Sequence, residues 1–214
     1  MKYQDFKNQI KEFPIFSASL ASRVGPNEQL LRNQLSGWKR RGLLRELKRG
    51  LYVLNENDRK ITPSRMFLAN QLYPPSYLST DYALMYYDLI PERVADLTSV
   101  TTRKTASFEN SFGRFIYQHV GIIAFRGFLE KKDENNYSFM IATPEKAIVD
   151  FIYLNLSRFE RGKSDVFEQS FRFQNLAQLD LGKMKEFTRF FRSKKLCDIM
   201  DMLETSIAEG RKNA

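Results

Sequence analysis

The stretch from residue 28 to residue 54 constrains the fold most. Between Glu28 and Arg41, Leu31, Leu35 and Trp38 recur at helical spacing and fall in one narrow stripe at about 100° per residue. Gly42 ends the run. Leu43-Leu44-Arg45-Glu46-Leu47, then Lys48-Arg49-Gly50, then Leu51-Tyr52-Val53-Leu54 follow at once. That is strand, turn and strand, with Gly50 supplying a left-handed turn position. Upstream, Phe6 and Ile10 give residues 3–12 one apolar face, and Pro14 closes that helix. Ser17 is placed to cap a helix from Ala18 to Val24, Gly25-Pro26 to break it, and Asn27 to cap the next. The order is helix, helix, turn, helix, β-hairpin. It predicts a winged helix-turn-helix over residues 1–58.

Charge is distributed to match. The net charge is +9, but residues 1–60 hold 13 Lys/Arg against 6 Asp/Glu, and residues 61–214 hold 21 against 19. The excess sits in the first quarter of the chain. Clustered cations are the electrostatic footprint of a polyanionic partner.

Opposite the apolar stripe, Gln29, Asn33, Ser36 and Arg40 follow one another at i, i+4, i+7 and i+11. Gln and Asn can pair bidentately with adenine, Arg with guanine and Ser with either. Arg32, Lys39 and Arg41 border this face, where phosphates would lie, and Gly37 allows close approach of the backbone. The hairpin adds Arg45, Lys48 and Arg49, positioned for the DNA backbone or an adjacent minor groove. These residues predict binding of double-stranded DNA.

Polar residues 55–60 predict a boundary, and residues 59–214 a second, larger domain. It reads as α+β: a small antiparallel or mixed sheet, flanked by helices and ending in a helical C-terminus. Helices are predicted from Pro63 to Leu72 and from Ser79-Thr80-Asp81 through Leu89. Strands are predicted at 99–102, 112–120, 122–128 and 137–141. Thr143 caps a strong helix with Pro144 first and Glu145 in its opening turn. Two helical patterns close the chain, broken near Arg192-Ser193.

Catalytic and metal signatures are weak. Gly162-Lys163-Ser164 ends like a phosphate-binding loop, but the glycine that must stand five residues earlier is Ser157. One cysteine, Cys197, and one histidine, His119, exclude an internal disulfide and a four-ligand zinc site. His119 has no nucleophile or carboxylate pattern around it and reads as structural, and Cys197 reads as core filling. Glu145 and Asp150 are five apart on one helix and so point to different faces; Glu145 complements the helix dipole. No enzyme and no cofactor are expected. The longest purely apolar stretch near the middle, residues 122–125, is too short to cross a bilayer, and the first residues do not form a signal peptide, so a cytoplasmic location is expected.

Three stretches resemble the AbiEi family of antitoxins and transcriptional regulators from type IV toxin–antitoxin and abortive-infection operons. They are Trp38-Lys39-Arg40-Arg41-Gly42-Leu43-Leu44 with Lys48 to Leu54, then Tyr77 to Leu84 through Leu89-Ile90-Pro91-Glu92 with Val100-Thr101, and finally Ala142 to Asp150. Together they span most of residues 13–155. The resemblance implies a bacterial two-domain protein. Its winged helix would bind inverted repeats upstream of its own operon, with paired copies on the DNA. Its second domain would counter a nucleotidyltransferase-like toxin. Two other functions stay open at this point: a module that binds a toxin or other partner directly, and a DNA-targeted nuclease.

Overall fold

The computed structural model describes residues 1–24, 28–160, 167 and 171–212. The fold is α+β, with a three-stranded sheet and a six-stranded mixed sheet. The expected features at Gly25-Pro26, Asn27 and Gly162-Lys163-Ser164 lie outside the described residues.

The first unit comprises helices α1 (Tyr3–Ile10), α2 (Ala18–Val24) and α3 (Glu28–Arg40), and strands β1 (Phe16–Ser17), β2 (Leu44–Lys48) and β3 (Leu51–Leu54). Ser17 caps α2 as expected, its Oγ accepting the Leu20 amide at 3.0 Å. Gly42 (φ 72°) closes α3 and Gly50 (φ 78°) turns the hairpin, both in the left-handed region that glycine tolerates. A two-residue strand not expected from the sequence, β1, pairs antiparallel with β3, Phe16 opposite Tyr52. Leu31, Leu35 and Trp38 are buried with Phe6, Ile10, Phe16, Ala21, Leu44 and Leu54 in one core. The Trp38 indole centre lies 4.8 Å from that of Phe6 and 5.4 Å from that of Tyr3.

The hairpin belongs to two cores. Leu44 and Leu54 fill the first, while Leu47 and Val53 enter the larger core behind it. A register shift between Glu46 and Lys48 accompanies this change of side. The polar segment after the hairpin folds back on α1. Asp58 accepts from Tyr3 Oη at 2.7 Å and from Lys7 Nζ at 2.9 Å, and Lys60 pairs with Glu12.

The larger sheet contains β4 (Ser76–Leu78), β5 (Leu97–Thr101), β6 (Ala106–Asn110), β7 (Gly113–His119), β8 (Phe128–Lys132) and β9 (Ser138–Ala142), in the order β6-β7-β5-β4-β9-β8. Pairings β7/β5 and β4/β9 are parallel and the others antiparallel. The helices are α4 (Arg65–Leu72), α5 (Thr80–Tyr86), α6 (Pro144–Leu154), α7 (Leu181–Arg189) and α8 (Lys194–Lys212). Val100 stands opposite Tyr77, and Ser99 opposite Tyr117, so the two tyrosines occupy opposite faces. Tyr117 donates to the Ala69 carbonyl of α4 at 2.6 Å, and Tyr77 to Asp150 of α6 at 2.9 Å. Helices therefore cover both faces of the sheet.

Two expectations change here, and one strand gains an unexpected partner. The strand expected over 122–128 is a single 3-10 turn, Ile122–Ala124, with Ile122 79% exposed; the strand starts only at Phe128, after Gly127 (φ 78°). The strand expected over 112–120 is present as β7, and its antiparallel hairpin partner β6 is an addition to the expected strands. Ser79 does not cap α5 with its side chain. Its hydroxyl donates to Asp150 at 2.8 Å, and Thr98 Oγ1, from β5, accepts the Tyr82 amide at 3.0 Å instead.

Candidate nucleic-acid interface

α3 presents its polar side outward because the other side is anchored. With Leu31, Leu35 and Trp38 at 1, 2 and 6% exposure, Gln29, Arg32, Asn33, Ser36, Lys39, Arg40 and Arg41 are all exposed. Leu30, 58% exposed, joins this face. Its exposure is not expected from the sequence, because a leucine within an amphipathic helix reads as core. A Cβ added at Gly37 would meet nothing within 4 Å, so the helix backbone is open to close approach there.

Glu46 fixes the hairpin against α3. Its Oε2 accepts from Lys39 Nζ at 2.6 Å and its Oε1 from the Gly50 amide at 3.2 Å. Burial alone raises the Glu46 carboxyl pKa, but Lys39 and the Gly50 amide outweigh it and hold the group below the usual carboxylate range. One carboxylate thereby ties the last turn of the helix to the turn of the hairpin.

The cations divide into three kinds. Arg40 and Arg49 are exposed. Arg45 forms an ion pair with Glu56 at 3.4 Å, the two side chains 45% and 62% exposed. Such a pair contributes about 0–1 kcal/mol and yields readily to a phosphate. Lys48 differs from the expectation. Its half-buried ammonium donates to the Leu72 carbonyl at the end of α4 at 2.5 Å. Burial, and then the nearby Arg103, push its pKa down. The structure brings Gln29, Arg32, Asn33, Ser36 and Arg40 onto one open face with Arg45 and Arg49 beside it, and directs Lys48 into the junction between the two cores.

The residues weighed for chemistry elsewhere have structural surroundings. His119 is exposed, its Nδ1 3.0 Å from the Arg103 carbonyl. Cys197 is half-buried and borders a cavity of about 130 Å³ with Lys185, Met200 and Glu204, so it sits at the margin of the core that Leu196 and Met200 occupy. Glu145 Oε1 accepts the Asp180 amide at 3.3 Å. A buried cluster went unseen in the sequence: Asp150 accepts from Tyr77, Ser79 and Lys146, all 0% exposed. Its one local signal is a lysine four residues before an aspartate on an otherwise apolar helix. Among the described residues, no group of three His, Cys, Asp or Glu is arranged to hold a metal ion, and no helix is long and apolar enough to cross a membrane.

No protein-family model matches the chain, and no curated protein matches it.

Proposed function

We propose that residues 1–58 act as a winged helix-turn-helix that binds double-stranded DNA, with α3 in the major groove and the hairpin against the backbone. The observation that carries this reading is the outer face of α3. Short polar side chains and Arg40 project from it, cations border it, and its inner stripe is locked in the core. The pinning of the hairpin to the helix through Glu46 supports it, because a preorganised pair of elements loses less freedom on docking. Arg40 and Arg49 are assigned to the DNA, with Arg32 and Arg45 at the rim. Lys48 is assigned to the junction.

The resemblance to AbiEi antitoxins extends the proposal to a regulator that represses its own operon from upstream inverted repeats, as paired copies. The second unit then serves the antitoxin role. Band shifts with the duplex upstream of the chain's own gene, against a scrambled duplex of equal length, test this. A preference for the upstream duplex that Asn33→Ala and Arg40→Ala reduce supports the reading; equal affinity for both duplexes in wild type and variants contradicts it.

A further inference from the structure

A cavity of about 500 Å³ lies on the second unit, between the end of α5, strand β8, the start of α6 and residues 178–179. Small-molecule sites occupy roughly 300–1,000 Å³. None of its lining residues belongs to α3 or the hairpin. Tyr86 and Tyr87 form part of it, edge to face with ring centres 5.1 Å apart. The Lys131 ammonium lies 4.7 Å from one ring centre and 5.1 Å from the other, and donates to Tyr86 Oη at 3.3 Å. Aromatic faces hold a cation without cancelling its charge. Glu145 enters from the first turn of α6 and is only 8% exposed. Its Oε1 accepts the Asp180 amide at 3.3 Å, and its Oε2 has no hydrogen-bond partner among the described residues.

Lys131 and Glu145 thus line one cavity with opposite charges, yet among the described residues neither has an ion-pair partner. Each is held away from the other, the lysine by two rings and the glutamate by a backbone amide. A buried carboxylate oxygen left without a partner is costly, and a ligand that carries both charges relieves both groups at once. Asp88, exposed at the same cavity, adds a second carboxylate. The walls are set before any ligand arrives. The Asp88 carbonyl accepts from Gln174 Nε2 at 3.2 Å and from Asn175 Nδ2 at 2.8 Å. Asp180, whose amide holds Glu145, caps α7 by accepting the Lys183 amide at 3.1 Å. A preformed site loses little freedom on binding.

We propose that this cavity binds a free α-amino acid with a large apolar side chain. Its ammonium goes to the carboxylates of Glu145 and Asp88, and its carboxylate to the Lys131 ammonium and the Tyr86 hydroxyl hydrogen. The volume exceeds what the two charged ends fill, and Pro144 and Leu179 supply apolar wall for the side chain. A ligand with one charge satisfies one group and leaves the other as it stands. The proposal is independent of what α3 binds.

The test is calorimetric titration of the full chain with L-phenylalanine, 3-phenylpropionate, which lacks the ammonium, and phenethylamine, which lacks the carboxylate. L-phenylalanine is expected to bind at least about tenfold more tightly than either analogue. No saturable binding of L-phenylalanine up to about 10 mM, or an affinity matched by either analogue, overturns the proposal. Lys131→Gln should bring L-phenylalanine down to the affinity of phenethylamine, and Glu145→Gln down to that of 3-phenylpropionate. Wild-type affinity for L-phenylalanine in either variant overturns the proposal. Glu145→Gln keeps an acceptor for the Asp180 amide, and Lys131 is only half-buried, so both chains are expected to fold, as circular dichroism checks. If Glu145→Gln fails to fold, the analogues and Lys131→Gln decide the matter alone.

Discussion

The Lys146 ammonium and the Asp150 carboxylate meet one helical turn apart on α6, with side chains only 1% and 0% exposed. Tyr77 and Ser79 from the segment around β4 complete the carboxylate's shell, and the Phe191 ring lies 4.7 Å from the ammonium. The pair pins the central strand of the sheet to the helix above it.

Removing one partner should therefore be severe. Asp150→Ala leaves a buried ammonium uncompensated, and a loss of about 3–5 kcal/mol in urea unfolding is expected. Lys146→Met combined with Asp150→Leu should recover most of that loss. A single variant within about 1 kcal/mol of wild type would show that the pair is not desolvated as described.

The Asp58 carboxylate gives the fold a dependence on acid. Burial raises its pKa, but hydrogen bonds from Lys7 and Tyr3 outweigh burial and hold it below the usual carboxylate range. A folded-state pKa below the unfolded one stabilises above the unfolded pKa, and that contribution disappears as the pH falls through the folded one. Unfolding midpoints measured between about pH 5 and pH 2 should fall less steeply in Asp58→Asn than in wild type.

Two glycines with the same φ of 78° should respond differently to alanine. At Gly50 an added Cβ meets nothing within 4 Å, so the loss is the backbone strain alone, about 1–2 kcal/mol. At Gly127 it would meet Phe187 ring carbons at 2.8 Å and Lys146 Cγ at 3.1 Å, so Gly127→Ala should cost more, by roughly 1–3 kcal/mol. Thermal unfolding of the two variants side by side checks the order.

The hairpin shared by both cores should make unfolding a single event. Trp38 is the sole tryptophan and reports on the first core, while far-UV circular dichroism reports on the whole chain. The two signals should change together in urea. Leu47→Ala, although it empties space in the second core, should lower the Trp38 midpoint too, by the equivalent of about 2–5 kcal/mol.

The sequence was most readable where a local rule decides the outcome. The Leu31-Leu35-Trp38 stripe, the Ser17 cap, the Thr143 cap with Pro144 and the Gly50 turn each follow from a few neighbouring residues, and the structure contains all of them. β4 was not legible because its three residues are all buried, which leaves no alternation to detect. The run 122–128 reads as a strand because its apolar residues are adjacent, yet Ile122–Ala124 is a 3-10 turn and the ladder with β9 starts only at Phe128. Within the proposed interface, the outer face of α3 could be read from helical geometry. The commitment of Lys48 to Leu72 could not, since that carbonyl lies 24 residues away and in the other unit.

The central claim is that the outer face of α3 and the hairpin hold DNA, and the salt dependence of binding tests it most directly. Affinity of the full chain for its own upstream duplex should fall linearly with the logarithm of salt concentration. Arg40→Ala and Arg49→Ala should each weaken binding and lower the slope by about 1. Affinity and slope unchanged by both substitutions would contradict the account.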